Sequence, residues 1–170
     1  MQHLKKRQNS YLALSLFAFV LFLLQFSDIL PILGGSYPVL LLPLVLVFGA
    51  YFGAFPGAVA GAVIGTVMDI YTGGSPSFHM VVFCVFGCIA GILITYYLNH
   101  NWQAMAMITV FFCLLYYFLR WVCFYSIPGS FVSYFLAIGL PSALYTAILS
   151  IPVYLLAAWI LRMVEKMERR

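Results

Sequence analysis

Between Arg7 and Arg162 the chain carries three charged side chains, Asp28, Asp69 and Arg120. The surface of a soluble domain cannot be covered that way, because about a quarter of such a domain's residues are charged. Here 7% of residues are charged and 65% are hydrophobic. The apolar surface needs lipid as its solvent. The length of 170 residues allows one compact domain, or five to seven spans of roughly 20 residues each.

The other charges sit at the two ends. Lys5, Lys6 and Arg7 precede the first apolar run, and Arg162, Glu165, Lys166, Glu168, Arg169 and Arg170 follow the last. A nucleic-acid groove needs many distributed cations, so that class of function is excluded. Basic ends fit the positive-inside bias and contact with anionic lipid headgroups, which predicts both termini in the cytoplasm. The run after Arg7 lacks a small-x-small cleavage signature, so it reads as a retained first helix.

One integral membrane domain follows: a basic tail over 1–10, a helical bundle over 11–161 and a charged tail over 162–170. The first span is expected from Ser10 to Asp28. A breaker cluster from Pro31 to Pro38 leads into Val39–Gly53. Phe55-Pro56-Gly57 then interrupts, and Ala58–Tyr71 resumes the apolar pattern. Pro56 argues for a hairpin of two short helices, either two full spans or a re-entrant pair. Phe78–Leu98 and Gln103–Tyr125 are ample spans, and Phe131–Gly139 is a short, interfacial stretch. Leu140–Leu161 is the last span, opened by Pro141 and kinked at Pro152. The expected fold is an all-α, polytopic bundle of about six spans, an even number that agrees with two cytoplasmic ends.

Small residues recur every four positions through Gly49, Gly53, Gly57, Gly61 and Gly65. Gly87 and Gly91 repeat the spacing on the next long span, and Ala143 and Ala147 on the last. Such faces let helix backbones approach closely in lipid. Gly57, Gly61, Gly65, Gly87 and Gly91 therefore form candidate helix-docking faces, either within the bundle or for a partner's helix. Asp69 follows Gly65 by four residues and shares roughly the same stripe. An intramembrane carboxylate needs a partner. Asp28, Asp69 and Arg120 converge on one membrane face in this topology, and an Asp69–Arg120 ion pair is expected, either as a structural staple or as a site for a partner segment or polar ligand.

His79 and His100 fall at opposite membrane faces and read as interfacial polar residues. Tyr96, Tyr97, Trp102, Tyr116, Tyr117, Trp121 and Tyr125 read as aromatic belts. Cys84, Cys88, Cys113 and Cys123 lie in apolar runs and read as small buried hydrophobes, not a metal site. No HExxH, GxSxG or Walker loop occurs, so no enzyme, metal or cofactor is expected.

Three features together resemble the MreD family of rod shape-determining membrane proteins: the run Pro38-Val39-Leu40-Leu41-Leu42-Pro43, the element Gly57-x3-Gly61-x3-Gly65-x3-Asp69, and the turn Thr72-Gly73-Gly74-Ser75-Pro76. The likeness covers roughly Tyr11 to Glu165. Where members often show Pro-x-Gly, this chain has Pro76-Ser77-Phe78. The resemblance implies a non-enzymatic scaffold of the bacterial cytoplasmic membrane. It implies association with MreC, and through MreC a link from MreB filaments to a RodA-type glycosyltransferase and a class B transpeptidase. It also implies a fold similar to the six-helix substrate-binding components of energy-coupling-factor vitamin transporters. A substrate-binding component of such a transporter is the alternative function.

Overall fold

The computed structural model describes residues 2–27, 39–73, 77–96, 102–124 and 131–167. These residues are helical almost throughout. The elements in chain order are α1 (Gln2–Phe26), α2 (Leu41–Phe52), α3 (Ala54–Thr72), α4 (Phe78–Tyr96), α5 (Trp102–Phe124), α6 (Phe131–Tyr134), a π-helical segment (Phe135–Gly139) and α7 (Leu140–Met167). Among the described residues, five helical stretches are long and apolar enough to cross a membrane. The multi-pass helical bundle expected from the sequence is therefore present. Asp28, the loop from Pro31 to Pro38, Gly74-Ser75-Pro76, His100 and Tyr125 lie outside the described residues.

The sixth apolar helix, α2, differs from the rest. Its 12 residues rise only about 18 Å, short of a bilayer's hydrocarbon core of about 30 Å. Leu41 to Ala50 are buried without interruption. A helix that is apolar on every side belongs at the centre of a bundle, and α2 forms that centre, packed by α3, α4 and α7.

A buried helix start must satisfy its free N–H groups, because no water reaches them. Two distant side chains do this for α2. Thr146 of α7 accepts the Val39 N–H at 3.1 Å, and Gln25 of α1 accepts the Leu40 N–H at 2.7 Å. The α2–α3 break falls at Gly53 instead of Pro56. Gly53 has φ 92°, a conformation that disfavours any side chain. Pro56 then lies in the first turn of α3, where its missing N–H leaves no bond unmade.

The 131–139 stretch is not a separate interfacial piece. It runs without a break into α7, and a membrane-length segment extends from Phe135 to Val164. Pro141 explains the π-helical passage. Its ring disturbs the preceding turn of an α-helix, and the wider turn at Phe135–Gly139 makes room, with the Leu140 N–H bonding the Phe135 carbonyl five residues back.

The α5–α7 contact is built on small polar groups. Thr109, Cys113 and Tyr117 follow at four-residue steps on α5, and Ser142, Thr146 and Ser150 do so on α7; all six are buried. Three of the hydroxyls return to their own helices: Thr109 donates to the Met105 carbonyl, Thr146 to that of Ser142 and Ser150 to that of Ala147. This satisfies those three groups in lipid while keeping the helices close. Tyr116 and Tyr117 are thus interior residues, 1% and 2% exposed, and not part of an aromatic belt. Tyr96, at the end of α4, is exposed as a belt residue should be. The cysteines also depart from expectation: Cys113 is buried, but Cys84 and Cys88 are half-exposed and Cys123 is exposed.

Candidate functional site

The two glycine stripes face each other. Gly57, Gly61 and Gly65 of α3 lie against Gly87, Phe83 and His79 of α4 with backbone touching backbone. A methyl group on Gly57 would come within 2.5 Å of the Gly87 carbonyl oxygen and 2.6 Å of the Gly49 Cα, and one on Gly91 within 2.5 Å of the Ala54 nitrogen. No side chain fits in that space. The most intimate contact in the molecule is therefore α3 on α4, with α2 joined to it through Gly49.

Asp69 ends the stripe and closes the hairpin. Its Oδ1 accepts the His79 N–H at 2.9 Å, and its Oδ2 accepts the Met80 N–H at 2.9 Å. These are two of the unpaired donors at the start of α4. The carboxylate thus acts as a cap supplied from the neighbouring helix, and its negative charge meets the positive end of the α4 dipole. Ser77, the residue before α4, stands at φ 74°. A glycine stripe followed by an aspartate is in this fold one device: the glycines bring the helices together, and the aspartate finishes the second helix.

A chain of polar contacts continues from Asp69. His79 Nδ1 lies 2.7 Å from Asp69 Oδ1, and His79 Nε2 lies 2.9 Å from the Tyr116 hydroxyl. Arg120 follows Tyr116 by four residues on α5, one turn further along the same face. With the carboxylate ionised and the ring neutral, the donors run in one direction: Tyr116 to His79 Nε2, and His79 Nδ1 to Asp69. The partner that the structure sets against Asp69 is His79, where the sequence expects Arg120.

Sequence reasoning missed the middle of this chain. The sequence places His79 at the interface, yet its side chain is 12% exposed and bonded at both nitrogens. The signal was present in the spacing: ten residues from Asp69 across a five-residue turn is the distance that an antiparallel hairpin closes. Among the described residues no group of three or more histidine, cysteine or acidic side chains is placed to hold a metal ion.

The second feature is a groove. A cavity of about 910 Å³ opens between α1 and α3 over the floor made by Leu41 and Phe48 of α2. Leu12, Ser15 and Phe19 line one wall, and Val59, Val63 and Val67 line the other. The α3 wall is the side turned away from the glycine stripe. The groove's α1 wall extends from Tyr11 to Phe22, about 17 Å at helical rise. Its volume over that length gives a cross-section of about 54 Å², or about 8 Å across. That is narrower than a helix with its side chains, about 10–12 Å, so an occupant seats one face in it.

Comparison with known proteins returned no matching family model, no similar curated protein and no similar solved structure.

Proposed function

We propose that the chain is a non-enzymatic scaffold of the bacterial cell-elongation complex, of the MreD kind, and that the α1–α3 groove takes the single membrane-spanning helix of an MreC-type partner. Through that partner it joins MreB filaments on the cytoplasmic side to a RodA-type glycosyltransferase and a class B transpeptidase. The chain lies in the cytoplasmic membrane with both ends in the cytoplasm, the short α2 with its flanking residues serving as the sixth crossing.

The observation that carries this reading is the groove. It is apolar and open along the bundle's side, and its width admits one face of a helix. The glycine stripe of α3 is filled by α4, so the surface that α3 offers to another protein is its valine side. Helix association in lipid relies on van der Waals fit, and a slot bounded by Ser15, Ala18 and Ala60 admits a neighbouring helix closely. The competing reading, a vitamin-binding component of a transporter, calls for a pocket rich in polar groups. The lining of this groove, with Tyr11 and Ser15 as its polar members, weighs against it.

Site-directed cross-linking tests the proposal. In a variant without the four native cysteines, Val59→Cys, Val63→Cys and Val67→Cys are expected to cross-link to the membrane-spanning helix of the MreC-type protein. Val85→Cys and Ile92→Cys on α4 are not. Depletion of the protein should cost cells their rod shape. Cross-links confined to α4, or a stoichiometric bound vitamin in native mass spectrometry, would overturn it.

A further inference from the structure

The groove between α1 and α3 is closed at one end and open at the other. Where α1 ends, Phe26 meets the Tyr71 ring of α3 at 3.7 Å between centroids, and Phe22 stands edge-on to the same ring at 6.4 Å. These rings bridge the two helices beyond Val67. Where α1 begins, Tyr11 is drawn back onto Phe52 of α2, with ring centroids 4.3 Å apart, and Phe55 on the facing wall is 79% exposed. That end is the mouth.

The depth is that of one lipid leaflet. The α1 wall is about 17 Å long, and half of a hydrocarbon core of about 30 Å is about 15 Å. A membrane-spanning helix can contact such a slot over that length and leave it across the open side. A lipid's acyl chains fit it whole. The walls suit them: Leu12, Phe19, Val59 and Val63 offer hydrocarbon, and the Ser15 hydroxyl is turned back to the Leu12 carbonyl of its own helix at 2.9 Å.

Charge selects the headgroup. Lys5, Lys6 and Arg7 form the turn of α1 shortly before Tyr11, at the level of the mouth, and no acidic residue precedes Asp28. Gln25 near the end of α1 and Thr146 near the start of α7 both meet the start of α2, so α7 ends on the side where α1 begins. It brings Arg162 and Lys166 there, with Glu165 between them. A basic cluster at the membrane surface attracts anionic lipid.

We propose that, in the protein without a partner, the groove holds an anionic phospholipid of the leaflet on that side, its acyl chains on the α2 floor and its phosphate at Lys5, Lys6 and Arg7. The lipid does not depend on the scaffold reading. Under that reading, the partner's helix enters by displacing it.

The test uses the full-length protein, with no partner, in nanodiscs of equal phosphatidylglycerol and phosphatidylethanolamine. Native mass spectrometry counts the lipids that stay bound once the disc is stripped away. One phospholipid per chain is expected. A basic residue near an anionic surface gives about a fivefold preference, so phosphatidylglycerol should exceed phosphatidylethanolamine about fivefold or more. Val63→Trp fills the groove and should lose the lipid. Val85→Trp, at an exposed position of α4, should keep it. The triple variant Lys5→Gln, Lys6→Gln and Arg7→Gln should keep a lipid and bring the ratio towards one. Five results would overturn the proposal. The first is no retained lipid in the native chain, and the second is equal retention of the two lipids. The third is equal retention in Val63→Trp and Val85→Trp, which takes the lipid out of the groove. The fourth is an unchanged ratio in the triple variant, which moves the headgroup to Arg162 and Lys166. The fifth is a second chain retained in place of lipid, which gives the groove to another copy. Because no partner is present, failure of helix docking in the cross-linking experiment leaves the bound lipid standing, and the reverse holds too.

Discussion

The Asp69 carboxylate reaches across the α3–α4 turn to the backbone N–H of His79 at 2.9 Å, and so finishes a helix to which it does not belong. Replacing it with alanine strands the His79 and Met80 N–H groups and the His79 ring. Each hydrogen bond to a charged group contributes about 1.5–3 kcal/mol. Asp69→Ala is therefore expected to lose about 3 kcal/mol or more of stability. Asp69→Asn keeps one acceptor oxygen and should recover part of the loss. Denaturation of the purified protein in detergent checks the order. If Asn and Ala variants are equally unstable, the capping role is refuted.

Thr146 does the same for α2. Its hydroxyl accepts the Val39 N–H at 3.1 Å and donates to the Ser142 carbonyl at 2.7 Å. Thr146→Val keeps the shape and removes the acceptor. The buried N–H left behind should cost about 1–3 kcal/mol, while Thr146→Ser stays near wild type. The same denaturation measurement separates the two. A valine variant as stable as the native protein would mean that Val39 finds another acceptor.

The two sides of α3 should respond to size in opposite ways. At Gly61 a Cβ meets the Phe83 carbonyl, which is backbone and cannot move aside. Overpacking a close-fitted core costs about 1–3 kcal/mol even where side chains can yield, so Gly61→Leu should prevent folding. Two residues on, Val63 is exposed at the groove. Val63→Leu should change stability by less than about 0.5 kcal/mol and yet reduce cross-linking to a partner helix. Monodispersity on size exclusion reports the first effect, and cross-linking yield the second. Should the glycine variant fold normally, the α3–α4 contact described here is wrong.

The helical bundle was legible because hydrophobic runs and breakers are local. The glycine stripe and Asp69 were legible for the same reason: a four-residue step marks one helix face. The partner of Asp69 was not. Charge alone favours Arg120, but the start of α4 meets the carboxylate, with the His79 ring at 2.7 Å, and where α4 begins relative to Asp69 depends on how the two helices pack. The break at Gly53 was misplaced to Pro56 because proline ends helices only past their first turn, and the position of that turn is set by how Gly49 meets Gly57. The hydroxyl stripe from Thr109 to Tyr117 and from Ser142 to Ser150 was visible as spacing, but became a contact only once α5 and α7 were neighbours.

The orientation of the bundle gives the last prediction. The Ser77 turn joins α3 to α4, and Lys166 closes the described part of α7. In the proposed orientation, argued from the basic residues before and after the apolar helices, both ends lie on the cytoplasmic side and the Ser77 turn faces outward. In a variant without native cysteines, Ser77→Cys should react with a membrane-impermeant maleimide in intact spheroplasts. Lys166→Cys should react only after the membrane is opened. The scaffold reading depends on this order, because a link to MreB filaments needs the charged ends on the filaments' side. Labelling of Lys166→Cys from outside would invert the topology and remove the cytoplasmic contact on which that link is built.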